Sequence, residues 1–130
     1  MVIDTSAVVA ILGMEREAAR LAEAIEADAN RLMSAATLDE TGLVIESRYG
    51  DAGGRELDVL IAKAGFSIEP VTTEQADVAR EAWRRYGKGR HSAALNFGDC
   101  FSYALARTTG EPLLFKGDDF IQTDVSVVRY

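Results

Sequence analysis

The chain has 130 residues, 48% of them hydrophobic and 27% charged, with only two prolines and a formal net charge of −7 at pH 7; this excludes a disordered or fibrous protein and supports one compact core. No apolar run approaches the ~20 residues of a membrane span, the N-terminus lacks a signal peptide's basic start, and the lone Cys100 excludes an internal disulfide or a cysteine zinc cluster, so a cytoplasmic protein is expected. The acidic total weighs against a nucleic-acid partner only until charge placement is considered, because a local basic stretch can carry phosphate contacts on an acidic chain.

Met1 to Asp4 reads as a short buried strand, with Thr5 or Ser6 capping a helix over Ala7 to Leu12. Glu15 to Ala27 is a helix, since Ala18, Leu21, Ala22 and Ile25 recur at helical spacing. Arg31 to Ser34 is expected as a strand, Ala35 to Tyr49 as a helix ending before Gly50, and Asp51 to Gly54 as a loop. Leu57, Leu60, Ile61 and Ala64 carry the next helix to its Gly65 stop. Phe66 to Val71 reads as a strand with Pro70 at its edge or end, and Thr73 caps a helix on which Ala76, Ala79 and Trp83 share a face. The stretch from Trp83 to His91 gathers Arg84, Arg85, Lys88 and Arg90 among two aromatics and two glycines. Phe97 to Arg107 is a helix, Pro112 to Phe115 a strand, and Ser126 to Arg129 a last strand. Strands separated by helices imply an α/β fold, a mainly parallel central sheet with helices on both faces, over a single domain of residues 1–130. In such sheets ligands bind beyond the carboxyl ends of the strands, where strand order switches.

Acids fall at those ends. Asp4 closes the first strand, and Asp118 and Asp119 follow the strand Leu113-Leu114-Phe115. Taken singly, Asp4 suits a helix cap and Lys116-Gly117-Asp118-Asp119 a polar turn. Asp99 lies in a helix whose Phe97, Phe101, Ala104 and Leu105 should face the core, while Asn96, Asp99 and Tyr103 share another face. Glu40 ends Thr37-Leu38-Asp39-Glu40, a capping-box pattern, unless Ser34-Ala35-Ala36 has already begun the helix and carried Glu40 inside it. Together these carboxylates, with no cluster of His or Cys to join them, form a hard oxygen donor set suited to Mg²⁺ or Mn²⁺. Crowded at one sheet edge they would raise one another's pKa unless a cation neutralised them, and such a cation can activate water against a phosphodiester.

Val2-Ile3-Asp4-Thr5-Ser6-Ala7, Ser34 to Glu40, Phe97-Gly98-Asp99-Cys100 and Leu113 to Phe120 resemble, in that order, the motifs of PIN-domain proteins, and the chain is similar in length to VapC-type toxins of bacterial toxin–antitoxin modules. The resemblance implies a PIN-like three-layer sandwich and a Mg²⁺-dependent endoribonuclease, with Mn²⁺ able to substitute, cutting structured RNA such as tRNA or rRNA. It implies Asp4 and Asp99 as metal ligands, Glu40 as a ligand or water-orienting group, and one of Asp118 and Asp119, preferably Asp119, as the fourth acid. Thr5, Ser6 and Asn96 would support these acids. A VapB-like antitoxin partner and a homodimer are implied too. Arg84, Arg85, Lys88, Arg90 and Lys116 are candidates for RNA phosphate contacts, and Leu43, Val44 and Ile45 for a groove that accepts an amphipathic antitoxin helix.

Two other classes compete. A haloacid-dehalogenase-like phosphatase would use Asp4 as nucleophile and Asp118-Asp119 at the metal, but it needs a second acid where Ser6 stands and a strand lysine where Lys63 falls mid-helix. A non-catalytic α/β binding module would use the acids only as caps.

Overall fold

In a computed structural model describing residues 1–130, the order is β1 (Val2–Ile3), α1 (Thr5–Leu12), α2 (Ala18–Ala27), β2 (Leu32–Ser34), α3 (Ala35–Ala64), β3 (Ser67–Glu69), α4 (Thr73–Tyr86), α5 (Phe97–Thr109) and β4 (Leu113–Leu114). A 3₁₀ turn over Phe120–Gln122 follows. The four strands form one parallel sheet in the order β3-β2-β1-β4. No helix is long and apolar enough to cross a membrane.

Alternation along each strand decides which residues face which layer. Val2, Leu32 and Leu113 pack with α4 and α5 residues such as Ala79, Leu105 and Tyr86. Their neighbours Ile3, Met33 and Leu114 pack on the other face with Val8 of α1, Leu21 of α2 and Ile45 of α3. β1 and β4, buried on both faces, are therefore wholly apolar, whereas the edge strand β3 carries Ser67 and Glu69 at more open positions, and the helices lie on both sides as expected. From β1 the chain moves outward to β2 and β3 and then returns to place β4 on β1's other side. The switch in strand order thus lies between β1 and β4, where Asp4 N–H donates to Leu114 O at 3.0 Å.

Several local expectations need correction. Asp4 itself, not Thr5 or Ser6, caps α1, and Thr72 rather than Thr73 caps α4. Asp51 to Gly54 is helical: α3 breaks only at Gly50, whose φ of 62° and ψ of −162° a glycine adopts without the Cβ clash other residues meet. Ser34 caps α3, so Glu40 lies inside the helix and forms no capping box. The last strand shrinks to a parallel bridge between Leu113 and Val127, in which Leu113 N–H donates to Ser126 O and Val128 N–H to Leu113 O.

Candidate active site

The sheet edge at the strand-order switch opens into a cleft of about 310 Å³ lined by Asp4, Thr5, Ser6, Glu40, Asn96, Asp99 and Asp119, with Glu15, Arg48 and Lys116 at its side and Val9 and Val44 as its apolar wall. Each acid arrives from a different element. Asp4 leaves the end of β1, Glu40 stands in the second turn of α3, Asp99 in the first turn of α5, and Asp119 in the loop after β4.

Asp4 is 2% exposed and held on both oxygens. Its Oδ2 accepts from Ser6 N–H at 2.9 Å and from Ser6 Oγ at 2.7 Å, and its Oδ1 accepts from Ser102 Oγ at 2.6 Å. Ser6 is fixed in turn, since its Oγ accepts the Lys116 N–H at 2.9 Å from the loop after β4. Three donors thus fix the direction of this buried carboxylate. Capping α1 and joining a cluster are therefore one geometry: the N-cap position aims Asp4 at the carboxyl edge of the sheet.

Glu40 is half-buried. Burial raises its pKa above the usual carboxylate range, a bond from Thr5 opposes that rise, and the nearby Asp4 charge adds to it. Thr5 Oγ1 donates to Glu40 Oε2 at 2.7 Å, and Thr41 Oγ1 lies 3.0 Å from the Thr5 hydroxyl. A Cβ at position 98 would fall inside the Glu40 carboxylate, so only glycine lets α5 approach α3 this closely.

Asp99 and Asn96 close a reciprocal capping box on α5: Asn96 N–H donates to Asp99 Oδ2 at 2.7 Å and Asp99 N–H to Asn96 Oδ1 at 2.9 Å. Asp99 is therefore both a capping residue and a member of the cluster. Its pKa is pushed up to about 7, first by burial, against the pull of the Asn96 N–H, and then by the charges of Asp4, Glu40 and Asp119. None of these four carboxylates is paired with a cationic side chain. No three of them are drawn tightly enough around a single point to enclose an ion. Their oxygen-only chemistry nevertheless fits a cation such as Mg²⁺, which binds through one or two carboxylates and keeps its waters.

A PIN-domain family model matches residues 1–126. Ribonuclease VapC30 of Mycobacterium tuberculosis is 58% identical over 128 residues, 98% of each chain, and a ribonuclease VapC of Mycolicibacterium smegmatis is 58% identical over 129 residues, 99% of this chain and all of the other. The chain belongs to the PIN-domain family. Among solved structures, Mycobacterium tuberculosis VapC20, described as a sarcin-ricin loop cleaving toxin, superposes with a TM-score of 0.81 at 20% identity over 99% of this chain and 98% of its own. A toxin–antitoxin complex from Klebsiella pneumoniae gives 0.72 at 19% identity over 99% and 97%. At those identities the likeness is one of fold.

In this PIN domain the expected site residues separate into those the cleft gathers and those it does not. Asp4, Thr5, Ser6, Glu40, Asn96, Asp99, Asp119 and Lys116 line it, while Asp118 does not. Lys63, the lysine a phosphatase would need, stands exposed in the last turn of α3 and away from the cleft. Tyr103, expected on the polar face with Asp99, is instead buried and donates to Asp124 at 2.6 Å. Among the basic candidates, Lys116 Nζ pairs with Glu15 and, at 3.4 Å, with Glu17. Arg84 pairs with Glu81 and Arg85 with Asp124, each at 3.3 Å, and Arg90 stacks 4.2 Å over Trp83. Sequence reasoning missed Arg48, two helical turns beyond Glu40, which lines the cleft with no carboxylate paired to it. It also missed Gly98 and Ser102. The Gly98-Asp99 pair at a helix start was a usable signal for the first; the others gave none. Within Leu43-Val44-Ile45, Ile45 is core and only Leu43, 65% exposed, is offered to a partner.

Proposed function

We propose that this protein is a metal-dependent endoribonuclease acting as the toxin of a type II toxin–antitoxin module. The observation that supports it most directly is the convergence of Asp4, Glu40, Asp99 and Asp119 on one cleft at the strand-order switch, with the Asp99 carboxyl lifted to about 7 by burial and like charge. Asp4 and Asp99 would ligate Mg²⁺ or Mn²⁺, Glu40 would reach the ion directly or through one of its waters, and Asp119 rather than Asp118 would complete the set. When bound, the ion supplies an activated water and neutralises charge at the scissile phosphate. Glu40, tied through Oε2 to Thr5, keeps Oε1 free to accept a hydrogen from the attacking water. Arg48 is placed to hold a neighbouring RNA phosphate, a task for which Lys116 is less free because two glutamates already pair with it. The substrate is structured RNA, tRNA or rRNA, met in the cytoplasm.

Two exposed apolar faces suit the two protein partners. Met14, 87% exposed, Leu43 and Tyr49 lie on the α1 and α3 side, where an antitoxin helix would bring an arginine to the acids. A groove of about 740 Å³ between α4 and α5, lined by Ala76, Ala79, Trp83, Phe97 and Phe101, suits a second copy of the chain, because Phe97 is 80% exposed there.

The test is to sequence RNA 5′ ends after inducing the wild type and Asp4→Ala. Discrete new ends with the wild type and none with the variant are expected, and the purified wild type should lose cleavage in EDTA. Cleavage that survives excess EDTA, or the Asp4→Ala/Asp99→Ala pair of changes, defeats the proposal.

A further inference from the structure

Asp4 is gripped from two directions that differ in kind. The grip on Oδ2 is local to the turn, through Ser6. The grip on Oδ1 comes from Ser102 of α5, 98 positions along the chain and 0% exposed. Behind Ser102, at 3.1 Å, stands the hydroxyl of Thr37 on α3, 1% exposed. Ser102 owns a single hydroxyl hydrogen, and the carboxylate, which only accepts, takes it at 2.6 Å. The contact between the two hydroxyls must then be filled by the hydrogen of Thr37. The chain of donation runs one way, from Thr37 Oγ1 to Ser102 Oγ to Asp4 Oδ1, through a region closed to water.

The placement of these hydroxyls is telling. Ser102 lies one turn after Asp99, and Thr37 one turn before Glu40. The pair therefore ties together the three segments that present Asp4, Asp99 and Glu40. Neither hydroxyl caps a helix, since Ser34 caps α3 and Asn96 caps α5. Packing alone is served as well by Ala and Val, which bury no polar atom.

We propose that Ser102, oriented by Thr37, is a positioning residue that sets the direction of the Asp4 carboxylate and its separation from Asp99 and Glu40, and thereby the affinity of the cleft for its divalent cation. This rests on the reading of the cleft as a cation site. Outer partners of metal ligands are worth roughly tenfold to a hundredfold in metal affinity, and Ser102→Ala is expected to fall in that range.

The experiment measures Mn²⁺ binding to the RNA-free full chain by electron paramagnetic resonance, with thermal melting to verify the fold. It is paired with the Mn²⁺ concentration that gives half-maximal cleavage of total bacterial RNA. Ser102→Ala should weaken Mn²⁺ binding, raise the half-maximal concentration by the same factor, and recover cleavage at high Mn²⁺. Thr37→Val should weaken binding less, and Thr37→Ser should restore it. A folded Ser102→Ala protein with wild-type Mn²⁺ affinity overturns the positioning role while leaving the nuclease standing. If Ser102→Ala does not fold, equal affinities in Thr37→Val and Thr37→Ser overturn it instead. A wild type that binds no Mn²⁺ overturns the cation site and the positioning role together.

Discussion

The first turn of α5 has two sides that obey opposite rules. On one side Asn96 and Asp99 face the acid cleft, where Asp4, Glu40 and Asp99 are each held by specific donors and glycine at 98 admits the Glu40 carboxylate. On the other, Phe97 and Phe101 stack edge-on at 4.9 Å and Arg90 lies over Trp83, around a wider groove. The larger cavity is mainly apolar, with arginines but no carboxylate in its lining, and the smaller one carries the acids. A site for chemistry demands fixed polar atoms and tolerates little volume; a docking face demands exposed area and tolerates mobility. The contrast teaches that cavity size alone would have pointed to the wrong side of the helix.

The sharpest way to break this contrast is Gly98→Ala. The added methyl displaces Glu40, breaks its bond with Thr5 or pushes α5 away from α3, and misplaces the acids by about the size of that methyl. Misplacement of that order costs around a hundredfold in rate, so RNA cleavage should fall by about that factor. The groove side should be unaffected, with the same oligomeric state by light scattering. Near-normal cleavage in Gly98→Ala would show that the tight fit of Glu40 is incidental.

Phe97→Glu tests the other side. Its ring is largely in solvent, so melting temperature should hardly change, and Asp99 stays in its capping box with Asn96. If the groove receives a second copy, removing a central aromatic should weaken the dimer about tenfold, read by sedimentation over a dilution series. A dimer of unchanged affinity would place the interface elsewhere.

Much of this was legible in the sequence, for identifiable reasons. Strand and helix alternation followed from periodicity, and the acids stood out because each lies beside a strand end or a helix start. What could not be read depends on distance or on backbone detail. Thr37 and Ser102 are 65 residues apart, and each alone looks like a small polar residue on an apolar helix. Arg48 stays an exposed arginine, and only the shape of the cleft shows that it faces the acids. Gly53-Gly54 resembles a loop, yet a Cβ at 53 would crowd Ile45 Cγ2 at 3.0 Å, so that glycine serves tight packing within a helix. Asp99 was open to being a cap or a site acid, and the structure makes it a cap that also lines the cleft.

The smallest effect concerns pH and separates the two sides thermodynamically. Asp99 titrates near 7 in the folded protein against 3.8 for an ordinary aspartate, mainly because burial penalises its charge. Between those values the folded state holds more protons than the unfolded one, so this group makes stability fall as pH rises from about 4 to about 7 and leaves it flat above. One pKa unit corresponds to about 1.4 kcal/mol, but Asp99 is still partly open to water, and screening reduces its share to on the order of 1 kcal/mol. Glu40, raised in the same direction by burial, adds to the trend. Replacing the charge by Asp99→Asn should therefore raise the metal-free melting temperature at pH 8 by a few degrees and make little difference at pH 4. Phe97→Glu should show no such pH dependence. Adding Mg²⁺ at pH 8 should raise the melting temperature of the wild type more than that of Asp99→Asn, because only the wild type has that charge to neutralise. If instead Asp99→Asn melts lower than the wild type at pH 8 without metal, the carboxylate is stabilised by its cap more than it is strained by its neighbours, and the cleft is not short of a cation.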